Sequence, residues 1–327
     1  MAYTAGDTIL DDEYNTFVTG DAAGTGTHTV ANVNSVWGSG SGDKGYGQTS
    51  TISAVSAGTT ISATQWNDFL GRIETLASHQ GSTVTDYTSL TTGDTIEAYS
   101  TVSTDLSTVY NNRFDCAAVG TAISTTSSRT AAWTTTVNTT VDLDFSSADT
   151  ARYFFNAGGT IRLSFSRSGG TSSDKNTEWA DLCSRSGTVW LSGSDSHTVN
   201  SQALTGTTKV GGNTGGTGSA VSDINFHDLT TSFQQIFIQY ADTAPYTANY
   251  IKVEALHNGS GKVQLRVTFT DDAAETGNPT YPLAGTNPAS LDNVDGTLTV
   301  SASAVPPATT YISNTWGTPA WTTSEAL

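Results

Sequence analysis

Apolar side chains recur at two different spacings along the 327 residues. Before about Cys116 they fall three and four apart, the period of one helix face. Beyond it they alternate with polar residues, the period of a strand with one buried side. Trp66, Phe69, Leu70, Ile73, Leu76 and Ala77 predict one amphipathic helix, and Tyr99, Val102, Leu106 and Val109 predict another. Val141, Leu143 and Phe145 predict a strand, as do Ile161, Leu163 and Phe165. So do Val263, Leu265, Val267 and Phe269, and Leu298 and Val300 continuing into Ala302 and Ala304. Residues 233–240 and 250–256 add strands of larger apolar content, and Gly/Asn/Asp clusters at 157–159 and 258–261 mark turns. One further helix is expected around 174–183, with Trp179, Leu182 and Cys183 on a face. The expected fold class is mainly β. An antiparallel β-sandwich or jelly-roll-like domain covers 116–305, after an N-terminal module of short repeated helical units over 1–115 and before an extended C-terminal arm over 306–327.

The helical third repeats itself. AGDTILDDEYNTFVTG from Ala5 aligns with AGTTISATQWNDFLGR from Ala57, with Ile9/Ile61, Asn15/Asn67 and Phe17/Phe69 identical and Tyr14 opposite Trp66. TGDTI at 92–96 begins a partial third copy. Ser62 and Gln65 have the S-x-x-Q spacing of a capping box. Each unit carries an apolar stripe with little local sequence to cover it. Tyr14, Phe17, Trp66, Phe69, Leu70 and Ile73 are therefore expected to form a self-assembly interface, joined by Tyr311, Trp316 and Trp321 of the arm. Pro306, Pro307 and Pro319 favour an extended course for that arm.

Composition narrows the chemistry. Charged residues are 13% of the chain, and 13 Lys and Arg against 30 Asp and Glu give a formal net charge of -17. Without clustered Lys and Arg no nucleic-acid partner is expected. No apolar run reaches the length of a spanning helix, so no membrane insertion is expected. Met1 to Leu10 lacks the basic and apolar regions of a secretory signal. Cys116 and Cys183 are expected as free, small core residues. VWGSGSGDKGYGQTS at 36–50 lacks the G-x-x-x-x-G-K-[ST] order of a phosphate loop, because Lys44 precedes Gly45, and reads as a flexible or turn-rich loop. Val210 to Ala220 reads as a mobile Gly-rich connection.

The five histidines lack metal-ligand spacing, and no nucleophile or zinc motif occurs, so no cofactor, metal or catalytic residue is expected. Asp142 with Asp144, and Asp271, Asp272 and Glu275, are the carboxylates available to a hydrolase reading. Asp292, Asn293 and Asp295 are those available to a calcium reading.

Longer motifs carry a family resemblance. YFFNAGGTIRLSFSRSGGTSSDKNTEWADL at 153–182, GTVWLSG at 187–193, HDLTTSFQQIF at 227–237, TANYIKVEA at 247–255 and NVDGTLT at 293–299 follow one another in order. Together with GSGSGDKGYGQ at 38–48 and ISATQWNDF at 61–69, they resemble a module of virion structural proteins of tailed bacteriophages, particularly contractile-tailed phages of cyanobacteria. The resemblance covers about two-thirds of the chain. It implies a non-enzymatic structural subunit located in the virion, a tail, neck or baseplate-peripheral fibre or decorating protein. Its partners would be further copies of itself and other virion proteins. An alternative partner is a host-surface glycan, stacked on Trp133, Trp190, Trp316 and Trp321. A bacterial surface-layer or filament protein is the third reading.

Overall fold

The computed structural model describes residues 10–22, 31–271 and 293–327. Ala5 to Ile9 of the first repeat copy, with His28, Asp272, Glu275 and Asp292, lie outside them.

The chain first runs through α1 (Asp11–Thr19), α2 (Val33–Trp37), α3 (Ala63–Gln80) and α4 (Tyr99–Asn111). The expected box opens α3. The Ser62 hydroxyl accepts from the Gln65 backbone N–H at 3.3 Å, while the Gln65 side chain accepts from the Ser62 N–H at 2.9 Å. Between these helices run extended segments that belong to no sheet, and helical side chains meet their polar groups instead. Asn15 donates to the Val55 carbonyl at 3.0 Å and accepts from the Val55 N–H at 2.8 Å. Asn67, the residue aligned with Asn15, makes the same pair with Leu90, both at 2.9 Å. Asn34 of α2 makes it with Ile52, at 2.8 and 3.1 Å. A carboxamide offers one donor beside one acceptor, as a neighbouring strand would, so the three asparagines stand in for a sheet edge.

The apolar stripes of α1 and α3 close on each other. Phe17 stacks on Phe69 with ring centroids 5.6 Å apart, and Trp66 lies 5.3 Å from Phe69. Tyr14, Phe17, Trp66, Phe69, Leu70 and Ile73 are all buried within their own chain. The stripes expected to meet neighbouring copies thus pack within their own chain. Ile52, Val55, Leu90 and Ile96 from the extended segments pack against that core, a cover invisible to a helical period.

Beyond residue 116 two main antiparallel sheets form. In the first, β1 (Ile123–Arg129), β12 (Thr297–Val305), β3 (Thr160–Ser168), β4 (Thr188–Leu191) and β7 (Thr207–Val210) pair in that order. In the second the order is β13 (Ala320–Glu325), β2 (Thr136–Asp144), β11 (Lys262–Thr270), β10 (Tyr250–His257), β9 (Gln234–Tyr240) and β8 (Gly218–Ala220). β5 (His197–Val199) and β6 (Gln202–Leu204) form a separate hairpin. The alternation in β2, β3, β11 and β12 sends one side of each strand inward, and Phe165 of the first sheet meets Phe237 and Phe269 of the second at 6.5 and 6.0 Å. α6 (Asp174–Arg185) lays Trp179 against Phe269 at 6.2 Å. α5 (Ala148–Asn156), capped by Ser147, is too short for periodicity to have announced it.

One buried cluster includes Tyr14, Phe69, Phe154, Phe237 and Trp316, so the core does not break at residue 115. The glycine-rich segment 38–48 makes the seam. Arg152 of α5 donates to the carbonyls of Lys44 at 2.8 Å and Ser39 at 2.7 Å, and Asn156 donates to that of Gly45 at 3.1 Å. Gly47, at φ 72°, approaches Tyr153 so closely that a Cβ would stand 2.5 Å from the ring. Gly47→Ala is expected to destabilise the fold by about 2 kcal/mol or more, combining strain with overpacking. Gly42→Ala meets nothing within 4 Å at φ 56° and carries only the strain, about 1 kcal/mol. Equal urea midpoints for the two variants would show that the seam is loose.

The stretch expected as a mobile connection and the segment expected as an extended arm are both held by the rest of the chain. The ends of the stretch Val210 to Ala220 lie in β7 and β8, Asn213 donates to Asp181 at 3.2 Å, and Arg185 donates to the Thr214 carbonyl. The C-terminal segment is no free arm. Gln48 donates to the Ser313 carbonyl at 2.9 Å and accepts from its N–H at 3.0 Å, Trp316 is buried, and β13 completes the second sheet beside β2. Half-buried Trp321 donates its indole N–H to the Ile123 carbonyl at 2.8 Å. The three prolines precede β13 and so take no hydrogen bond from its ladder. Of the nine expected interface residues, only Tyr311 is exposed.

Candidate functional site

The first sheet's outer face carries a register of short polar residues. Across its five strands, Ser124, Ser303, Arg162, Trp190 and Thr208 form one row. Thr126, Ser301, Ser164, Thr188 and Val210 form the next. The opposite sides of the same strands point into the core, which is why their outward neighbours are free to be Ser and Thr. Small side chains over β1, β12 and β3 leave a trough, and the bulk of Arg162, Trp190 and Val210 raises its other side. All of these residues except Thr208 line a groove of about 520 Å³.

Trp190 forms a small buried cluster with Cys116, Val199 and Leu204. The Arg162 guanidinium lies 3.5 Å over its ring, and Arg162 Nε donates to the Thr160 hydroxyl at 3.1 Å. Buried Nη2 of Arg162 and Nε1 of Trp190 have no hydrogen-bond partner among the described residues. Burial lowers the Arg162 pKa from its ordinary value. An arginine remains charged at neutral pH nonetheless.

The four tryptophans expected to stack on sugars do not present bare rings. Trp133 packs edge-on against Trp179 at 4.9 Å, Trp316 is buried, Trp321 packs against the core, and the Trp190 face is covered by Arg162. The aromatic count was legible in the sequence; the cation over Trp190 was not, because it needs the β3–β4 register.

The carboxylate candidates are likewise engaged. Asp142 accepts from Gln264 and Ser324, each at 3.0 Å, and Lys262 lies 3.3 Å from it and 3.4 Å from Asp144. Asp271 and Lys175 form an ion pair at 2.8 Å with both side chains buried. Asp295 accepts from the Thr171 N–H and from Asn176, and Arg167 lies 3.1 Å away, so cationic and N–H groups stand where a calcium ion would. Glu178, Asp181 and Asp242 bring carboxylate oxygens within 4.8 Å of one another. The Arg185 guanidinium pairs with both aspartates there and supplies the countercharge. Burial pushes the thiol of Cys116 to about 11 and that of Cys183 to about 12, which keeps both protonated and unreactive at neutral pH.

No helix among the described residues is long and apolar enough to cross a membrane. Comparison with known proteins finds no matching family model, no similar curated protein and no similar solved structure.

Proposed function

We propose that the chain is a non-enzymatic structural subunit of a tailed-phage particle, in the tail, neck or baseplate periphery. Its two sheets would be packed as a β-sandwich behind a module of repeated helical units. It works with further copies of itself and with other virion proteins. The observation that carries this reading is the use to which the family-like motifs are put. Asn156 of the first motif donates to the carbonyls of Gly42 and Gly45 in the glycine-rich motif, and its Oδ1 lies 2.8 Å from His227 Nε2 of a third. Arg167, Thr171 and Asn176 of the first motif converge on Asp295 of the last. Polar residues that a catalyst would aim at a substrate are here consumed in joining segments 71 to 128 positions apart, which suits a scaffold.

Quantitative mass spectrometry of gradient-purified particles, from a phage that encodes the chain, tests the proposal. The chain is expected at a fixed copy number per particle, and antibody-labelled particles should show it at one position. Its absence from particles, or turnover of a glycan by the pure protein, would overturn the reading.

A further inference from the structure

We infer that the groove on the outer face of the five-stranded sheet binds an oligosaccharide bearing a carboxylate, and that Arg162 receives the charged group. This goes beyond membership of a particle and does not depend on it.

In this strongly acidic protein Arg162, like Arg72 and Arg129, forms no ion pair with a carboxylate among the described residues, and of the three it is the one that lines the groove. Arg113, Arg167, Arg185 and Arg266 each have a carboxylate partner. Arg162 is instead partly buried and pinned over an indole. A guanidinium fixed by stacking and by one hydrogen bond from Nε is pre-organised, so little freedom is lost when an anion docks on its remaining donors.

The rest of the lining selects the ligand class. Among the described residues Arg162 is the only charged side chain lining the groove, which disfavours a cation and accommodates a planar carboxylate. Ser124, Thr126, Ser164, Ser301 and Ser303 present hydroxyls, each able to donate and to accept, in rows that run across the strands. With strands about 4.8 Å apart, five strands extend such a row over roughly 19 Å, room for several sugar rings rather than one small anion. A peptide is a poorer match. Over β12, β3 and β4 the backbone groups under the groove are already spent in ladders on both sides, so a peptide lying across the sheet face finds no strand edge to pair with there. Apolar ligands find little beyond Val210 and the rim of Trp190.

The test is an array of neutral oligosaccharides and of ones bearing uronic or sialic acid, probed with the full chain. Calorimetric titration then follows with the best carboxylated member and with its methyl ester. Binding is expected only for carboxylated members, with at least a tenfold loss on esterification and at least a tenfold loss for Arg162→Gln at unchanged melting temperature. Ser301→Tyr, which fills the trough without touching the cation, should abolish binding, and it decides the matter if Arg162→Gln fails to fold. The inference is overturned if no carboxylated member binds at millimolar concentration, if ester and acid bind alike, or if Ser301→Tyr binds unchanged. Competition by sodium acetate as effective as by the oligosaccharide would mark an isolated anion site and would overturn it too.

Discussion

Replacing Trp316 by alanine is expected to destabilise the protein by about 3–5 kcal/mol, the range for removing a large aromatic side chain from a core. The side chain is only 3% exposed, and Ile312 beside it in the chain is 2% exposed. The Gln48–Ser313 pair and the hydrogen bond from Thr315 to the Tyr46 carbonyl fasten the surrounding segment to the glycine-rich seam. Removing the indole would therefore leave a cavity whose walls are held from both sides and cannot readily collapse. Tyr311→Ala, five positions earlier and 49% exposed, should change stability by no more than about 0.5 kcal/mol. Urea unfolding followed by circular dichroism separates the two. An unmoved midpoint for Trp316→Ala would return this segment to the role of a docking arm.

Stability should also fall as the pH is lowered from about 6.5 towards 4, before most carboxylates titrate. Burial is the main cause that lowers His79, His197 and His227 from 6.5 to about 4. The Nε2 atom of His79 lies 3.1 Å from the Ala157 carbonyl, and the ring of His197 packs 6.2 Å from Phe114, so these imidazoles are held neutral inside. In the unfolded chain they take up protons near 6.5; in the folded chain they do so only near 4. Between those values the unfolded state binds more protons, so acid favours it, and the contribution is fully present above 6.5. Each histidine can contribute up to about 3 kcal/mol across that window. Asp43 and Asp295, held below the usual carboxylate range, add their losses at lower pH still. Asp115 and Asp271 are raised by burial and act in the opposite sense. Comparing the slope of melting temperature against pH for the parent and for His79→Gln isolates the imidazole, since glutamine keeps a donor but does not titrate. Parallel slopes would sink the assignment.

How far the sequence could be read follows from which spacing carries each feature. β2, β3, β11 and β12 alternate over a full strand length, and α3 repeats over five turns, so their periods stand out. α1 and α4 bury the faces that the pattern named, yet what covers those faces comes from extended segments with no period of their own. The identity of Asn15 and Asn67 was visible as repetition, but its use, the clamping of a non-sheet backbone, depends on partners 40 and 23 positions away. β13 is hidden by its small polar residues, and the groove by the fact that its two rows are assembled from five strands, of which β3 and β12 carry the alternating apolar pattern visible in the sequence.

The position of β12 has a consequence for the order in which the molecule assembles. It lies between β1 and β3, although β1 precedes it by more than 160 residues. Hairpins between near neighbours, β9 with β10 and β10 with β11, close short loops and can form early. β1 has no partner on its inner side until β12 arrives, because β3 pairs with β12 and not with it. Local pairing therefore favours the second sheet, whereas the first sheet and, with it, the floor of the groove are complete only once one Ser/Thr-faced strand has been inserted between β1 and β3.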